Sequence, residues 1–256
     1  MIKNDLNGMA FRNSLWDIVT AGTLLTRLPL PQAPDEAFER QAENAWAFPI
    51  VGLFVGMATC IVGAIGFWLG LNAAIIAGFM LATSMIMTGA MHEDGLADCA
   101  DGFWGGFDPA RRLEIMKDSQ IGTYGVLAIV IVTGLRWMAL SAAISLGFSG
   151  VIAAAVLSRG VLPATMAMVA HARDTGLSHS VGRPTQQTAA ISCGAAGVLA
   201  LILIGFSGIG AALITVFIAS GLTKLAKTKI GGQTGDVLGA TQVLCETAIL
   251  VFVVAQ

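Results

Sequence analysis

Charge is scarce in this sequence. Lys, Arg, Asp and Glu make up only 12% of its 256 residues, while 55% are hydrophobic and the mean hydropathy is +0.78. A soluble domain carries roughly 25% charged residues, so the shortfall points to lipid rather than water as the main solvent. Net charge is −2, which excludes the bulk positive field that nucleic acid requires. The four cysteines, Cys60, Cys99, Cys193 and Cys245, form no CxxC pair and three of them sit in apolar stretches. That supports neither a disulfide framework nor a zinc site and leaves small packed thiols. No cleavable leader is expected in this stretch either: "LWDIVTAGTLLTRLPLP" contains Asp17 and Arg27 and stops at Pro29 and Pro31, without the unbroken apolar region of a signal peptide. The segment reads as an amphipathic helix lying at the membrane surface or dipping into it.

What is abundant is apolar run. Crossing a bilayer takes about 20 mostly apolar residues per helix, and such stretches run near 49–70, 73–90, 125–146, 150–170, 189–206, 208–223 and 238–255. Three pairs of them are joined by tight, uncharged turns, "GLN", "LGFSG" and "FSGIG", so each pair reads as a hairpin. The polar segments 1–48, 91–124, 171–188 and 224–237 must then share one face. They hold 12 of the 14 Lys and Arg residues and 15 of the 16 Asp and Glu. Lys/Arg excess in short loops marks the cytoplasmic side. The expectation is an all-α, polytopic membrane bundle of about seven spans plus an N-terminal interfacial or re-entrant helix, one domain over 1–256, in the cytoplasmic (inner) membrane, with the active face cytoplasmic and the C-terminus outside. Gly52 and Gly56 give small-xxx-small spacing in the first span, which favours a close helix contact.

Against this background "MHEDGLADCADGFWGG", residues 91–106, stands out. Seven of the 16 carboxylates lie between Glu93 and Asp118. Asp94, Asp98 and Asp101, spaced i, i+4, i+7, fall within roughly 60° on a helix. Carboxylates about 6 Å apart repel by on the order of 3 kcal/mol at an effective dielectric near 20, yet residues 91–110 contain no Lys or Arg. A divalent cation is the natural counter-charge, the alternative being a solvated acidic loop. Oxygen-only ligands suit Mg2+, Ca2+ or Mn2+. Gly95 and Gly102 read as places where a ligand can approach the backbone. His92 is a candidate base, metal ligand or hydrogen-bond partner.

Neighbouring elements suggest phosphate. "ARRLEIMKDSQIGTYG" brings Arg111, Arg112 and Lys117, either phosphate clamps or positive-inside anchors. "KLAKTKIGGQTGDVLGA" is a glycine-rich turn running into a helix, a phosphate nest in form, in which Asp236 could simply be an N-cap. Arg136, Arg159 and Glu246 lie within spans, where a charge costs some 2.5–3.5 kcal/mol. They read either as a buried ion pair holding helices together or, for Arg159, as the lining of a cavity for an anionic substrate.

"HEDGLADCADG", "MKDSQIGTYG", "SRGVLP" and "GGQTGDVLGA", in this order and between these spans, resemble the cobalamin synthase family, the adenosylcobinamide-GDP ribazoletransferases. The likeness covers nearly the whole chain, including "LLTRLPLP" and "FPIVGLFVG". Glu93 departs from it, standing where an apolar residue is expected. The resemblance implies a Mg2+-dependent transfer of a GDP-activated corrinoid to α-ribazole or its 5′-phosphate with release of GMP. It implies catalytic roles for His92, Asp94, Asp98 and Asp101, with the three aspartates on the metal. Lys117, Asp118, Ser119, Arg159, Gly231, Gly232, Thr234, Gly235 and Asp236 are implied to bind substrate and phosphate. The implied partners are the small-molecule substrates and the bilayer, not nucleic acid, with a homo-oligomer left open. CDP-alcohol phosphotransferases, the nearest rival, carry DGxxAR followed by spaced aspartates; "DGLAD" is followed by no such arginine. A secondary transporter would place ionisable residues and broken helices at mid-membrane.

Overall fold

The computed structural model describes the backbone of residues 2–256 and the side chains of residues 14–256; the side chains of the first thirteen residues, counted above in the first polar segment, lie outside the described residues. The chain is helical throughout: α1 (Ile2–Leu25), the short α2 (Asp35–Glu39) and α3 (Gln41–Asn44), α4 (Phe48–Trp68), α5 (Ala73–Thr88), α6 (Met91–Gly105), α7 (Pro109–Ile115), α8 (Thr123–Leu146), α9 (Ser149–Gly160), α10 (Leu162–Met168), α11 (Leu177–Val181), α12 (Gln186–Ile204), α13 (Ser207–Ile230) and α14 (Gly235–Val254). Six described helical stretches are long and apolar enough to cross a membrane, and the pair α5–α6 passes that test only when its two helices, bent by 86° from one another, are taken together. This is the polytopic bundle the hydropathy predicts. α5 is the apolar arm of the pair; α6 carries the acidic sequence and is not counted as a spanning segment.

The bend has a local cause. Gly89 and Ala90 both adopt left-handed backbone, φ +65° and +54°, and their amides donate to Ile86 O and Met85 O, a C-terminal closure that uses glycine where the left-handed residue falls. Ala90 is the one positive-φ residue among those described that is not glycine, so the turn into α6 stores strain of about 1–2 kcal/mol.

The hairpins follow the turns expected from sequence: α4 to α5 through 69–72, α8 to α9 through 147–148, α12 to α13 through 205–206. The C-terminus lies with these turns, Ser207 Oγ donating to Gln256 Oε1. At the other end the polar segments meet: Arg112 donates to Lys229 O and Arg173 to Asp236. Gly52 and Gly56 let α4 close on α9, a Cβ at Gly52 falling 2.4 Å from Ala155 O. Two boundaries differ from expectation. α13 runs on to Ile230, because its lysines can bury their stems and keep their ammonium groups in water. The stretch 150–170 breaks at Val161 into α9 and α10, just before Pro163. In α1, Asp17 is buried, its charge met by Arg40 Nη2 and Trp46 Nε1.

Candidate functional site

α6 is held between α8 and α14. A Cβ at Gly95 would sit 2.7 Å from Asp236 O, and one at Gly239 3.1 Å from Met91 O. The two glycines therefore seat α6 against the first turns of α14. A Cβ at Gly102 would meet Met116 and Arg112 O. The expectation that Gly95 and Gly102 admit a ligand is corrected: both positions are filled by neighbouring chain. Gly95→Ala is expected to push α6 off α14 at an overpacking cost of about 1–3 kcal/mol, seen as a lowered thermal midpoint in detergent.

This packing puts four carboxylates near one another. Asp98 is half-buried, and burial, then the charges of Asp236, Asp94 and Asp101, push its carboxyl up to about 7, opposed only by Arg173. Asp94 is exposed. Asp101 is buried with both oxygens engaged, Oδ2 accepting from Gly122 N at 2.7 Å and Oδ1 from Gly125 N at 2.9 Å. It thereby caps the start of α8, and Cβ atoms at Gly122 or Gly125 would strike its carboxylate. Among the described residues no three His, Cys, Asp or Glu side chains stand ready as a metal cage. His92 is fully buried; burial and the charge of Arg159 hold its imidazole far below the usual range and so neutral, and its Nε2 has no partner.

The turn after α13 completes the wall. Gly231 is left-handed, φ +82°, and at Gly232 a Cβ would meet Ala170 O at 2.4 Å. Thr234, not Asp236, caps α14, accepting from Val237 N and donating to Asp236 Oδ2 at 3.1 Å. The segment after α10 clips to this turn: Gln233 N donates to Ala170 O, Ala172 N to Gln233 O, and Ser178 Oγ to Gln233 Oε1. His171 Nδ1 lies 3.0 Å from Gln233 Nε2; burial, His179 and Arg183 lower its pKa. The clip delivers Arg173, whose Nη2 donates to Asp236 Oδ2 at 3.2 Å and whose Nη1 is buried with no partner.

A cavity of about 280 Å3 opens here. Its polar lining is His92, Asp94, Arg173, Ser178 and Asp236; its apolar lining includes Leu25, Phe48, Leu162, Met166 and Val181, which pack as one cluster. Arg173 and Ser178 were not singled out from sequence, since "HARDTGLSHS" has no periodicity or motif to mark them; their partners lie 63 and 55 residues away.

The remaining expected residues fall elsewhere. Lys117, Asp118 and Ser119 form an exposed turn between α7 and α8. Asp118 lines a second cavity of about 280 Å3 with Asp101, Gln120, Gly122, Thr123 and Tyr124. Arg111 pairs with Glu114. Arg112 donates to Gly106 O, Phe107 O and Lys229 O, tying α7 to the end of α13, so it is a structural tie. Arg159 does not line the main cavity: it is 2% exposed and bonded to Glu246 and Ala155 O, the ion-pair reading of the two above. Arg136 joins Glu93 to Glu246, which explains how Glu93 is accommodated where an apolar residue is expected.

A family described as cobalamin-5-phosphate synthase matches residues 17–254. The chain is 43% identical over 250 residues to a Bradyrhizobium diazoefficiens protein named adenosylcobinamide-GDP ribazoletransferase, covering 95% of each. Proteins of the same name from Mesorhizobium japonicum (40% identical over 242 residues, 93% of each chain) and Brucella canis (42% over 258 residues, 94% of this chain and 97% of the relative) are similar as well. No solved structure matches it. With a family match spanning all the membrane helices and both polar clusters of the site, the chain belongs to the cobalamin-5-phosphate synthase family of transferases.

Proposed function

We propose that the protein joins adenosylcobinamide-GDP to α-ribazole or its 5′-phosphate and releases GMP, on a face of the membrane that the Lys/Arg excess assigns to the cytoplasm. The observation that carries this reading is the meeting of Asp94, Asp236 and a half-free Arg173 at one cavity, with Asp98 close enough to feel the charge of all three. A ribose hydroxyl attacks the corrinoid-side phosphorus of the diphosphate; the new O–P bond forms, the P–O–P bridge breaks, and GMP departs. Such a transfer asks the protein for position and charge compensation rather than covalent help.

Magnesium suits the donors. They are all oxygen, they crowd one another without enough cationic relief, and no closed protein cage precedes them. Mg2+ is commonly held by one or two carboxylates with water and substrate phosphate completing the shell. Asp94 and Asp98 would hold it, with Asp236 beside them and Asp101 fixed on α8 as support. When bound, the cation neutralises diphosphate charge and the charge developing on the leaving phosphate. Arg173 would offer a phosphoryl oxygen its unpaired Nη1, and the N-terminus of α14 adds partial positive charge. The hydroxyl proton goes to a carboxylate at the cavity wall, where Asp94 is the exposed acceptor.

The test is direct. Purified protein in liposomes, given adenosylcobinamide-GDP and α-ribazole, is expected to release one GMP per corrinoid product, to stop with EDTA and to resume with Mg2+. Absence of GMP release under these conditions refutes the reading.

A further inference from the structure

We infer that the cavity between α1, α4, α6, α10, α11 and α14 is the acceptor-nucleoside site: it takes an apolar bicyclic base against Phe48, Leu162, Met166 and Val181 and turns the sugar toward His92, Asp94 and Arg173. This rests on the transferase reading above and deepens it by saying which substrate goes where.

Three observations converge. The lining is split in character, one apolar cluster facing one interacting polar set. A ligand that fits must be greasy on one side and oxygenated on the other, as a ribosylated dimethylbenzimidazole is. Next, two residues of the polar wall, His92 and Arg173, each keep a buried nitrogen, Nε2 and Nη1, with no partner within the protein. Buried polar groups are seldom left so, and sugar hydroxyls or a 5′-phosphate would satisfy both. Last, the donor is excluded by its own chemistry. A volume of about 280 Å3 lies at the lower end for small-molecule sites and is far too small for a corrin ring. The guanine of the donor needs hydrogen-bond partners along its edges, which Phe48, Leu162, Met166 and Val181 cannot offer. The donor therefore reaches the carboxylates from outside the cavity, and the acceptor hydroxyl meets its phosphorus at the polar wall.

The test uses the full chain in liposomes and reads KM for each substrate separately. Leu24 lines the cavity and is only half-buried, so Leu24→Trp can narrow the space without a core clash. KM for α-ribazole is expected to rise about 10-fold or more, the scale on which a pocket discriminates by shape, with KM for adenosylcobinamide-GDP within about twofold of the parent. Met166→Ala, which widens the apolar wall, is expected to shift preference toward ribosides of a bulkier tricyclic base. Misfolding lowers kcat and leaves both KM values in place, so it does not imitate this pattern. A rise in the donor KM, or no change in acceptor KM with either variant, overturns the assignment. Should the parent protein transfer nothing, the transferase reading falls separately, and equilibrium dialysis of α-ribazole alone still decides the cavity: binding to the parent that weakens about 10-fold in Leu24→Trp supports it, and no binding refutes it.

Discussion

Asp98→Asn is expected to lower GMP release by on the order of 10²–10³-fold, the loss typical when one preorganised electrostatic group is removed, while the protein still inserts and folds. The side chain changes by one atom in kind and none in number, so packing against α14 is kept. What goes is a negative charge that the fold holds at a cost. Asp98 is half-buried among Asp94, Asp101 and Asp236, and without a cation that crowding is unfavourable. The variant's thermal midpoint in metal-free detergent should therefore equal or exceed the parent's, and its stabilisation by added Mg2+ should shrink. Activity lost with stability kept is the signature of a charge retained for binding. Near-normal turnover by Asp98→Asn would overturn the role given to it.

Glu246→Leu is expected to cost about 3–5 kcal/mol of stability, the usual penalty for removing one partner of a buried ion pair. Glu246 accepts from Arg136 at 2.8 Å, Arg159 at 3.1 Å and Gln242 at 2.6 Å, joining α8, α9 and α14. Its loss strands Arg159 without a counter-charge and leaves Arg136 with Glu93 alone. The measurement is a thermal or denaturant series in detergent. Arg159→Met in the Glu246→Leu background should recover most of the loss, since an ion pair replaced whole by apolar side chains is often neutral or better. If the double variant is as unstable as the sum of the single ones, the pair is not acting as a unit.

Much of this architecture was legible in the residues. Apolar runs and uncharged turns gave hairpins and the grouping of polar segments, because hydropathy in lipid leaves few alternatives. The helical spacing of Asp94 and Asp98 led to α6 and to the charge crowding there, and the glycine-rich turn at 231–236 stands beside it as expected. What sequence could not show depends on contacts made far along the chain. Gly95 looks the same whether a ligand or α14 fills the space above it. Arg112 has the composition of a phosphate clamp, and only the fold shows it spent on three carbonyls, two in the turn before α7 and one at the end of α13. Arg173 becomes a site residue through main-chain pairing with Gln233, for which a single sequence carries no periodic signal. The span residues Arg136, Arg159 and Glu246 announced a pairing by their cost alone, and the partner Glu93 was found from the fold.

Asp101 grips Gly122 and Gly125 at the foot of α8, and so fastens together the two ends of everything between them. The excursion through α7 is thereby a closed purse rather than a strap: the distance from α6 to α8 is fixed at its drawstring. Within it α7 stays tied to α13 through Arg112, and it is the exposed turn at 117–121 that can take added length without altering the alignment of the helices beneath, since loop length adds only slowly to the entropy of closure.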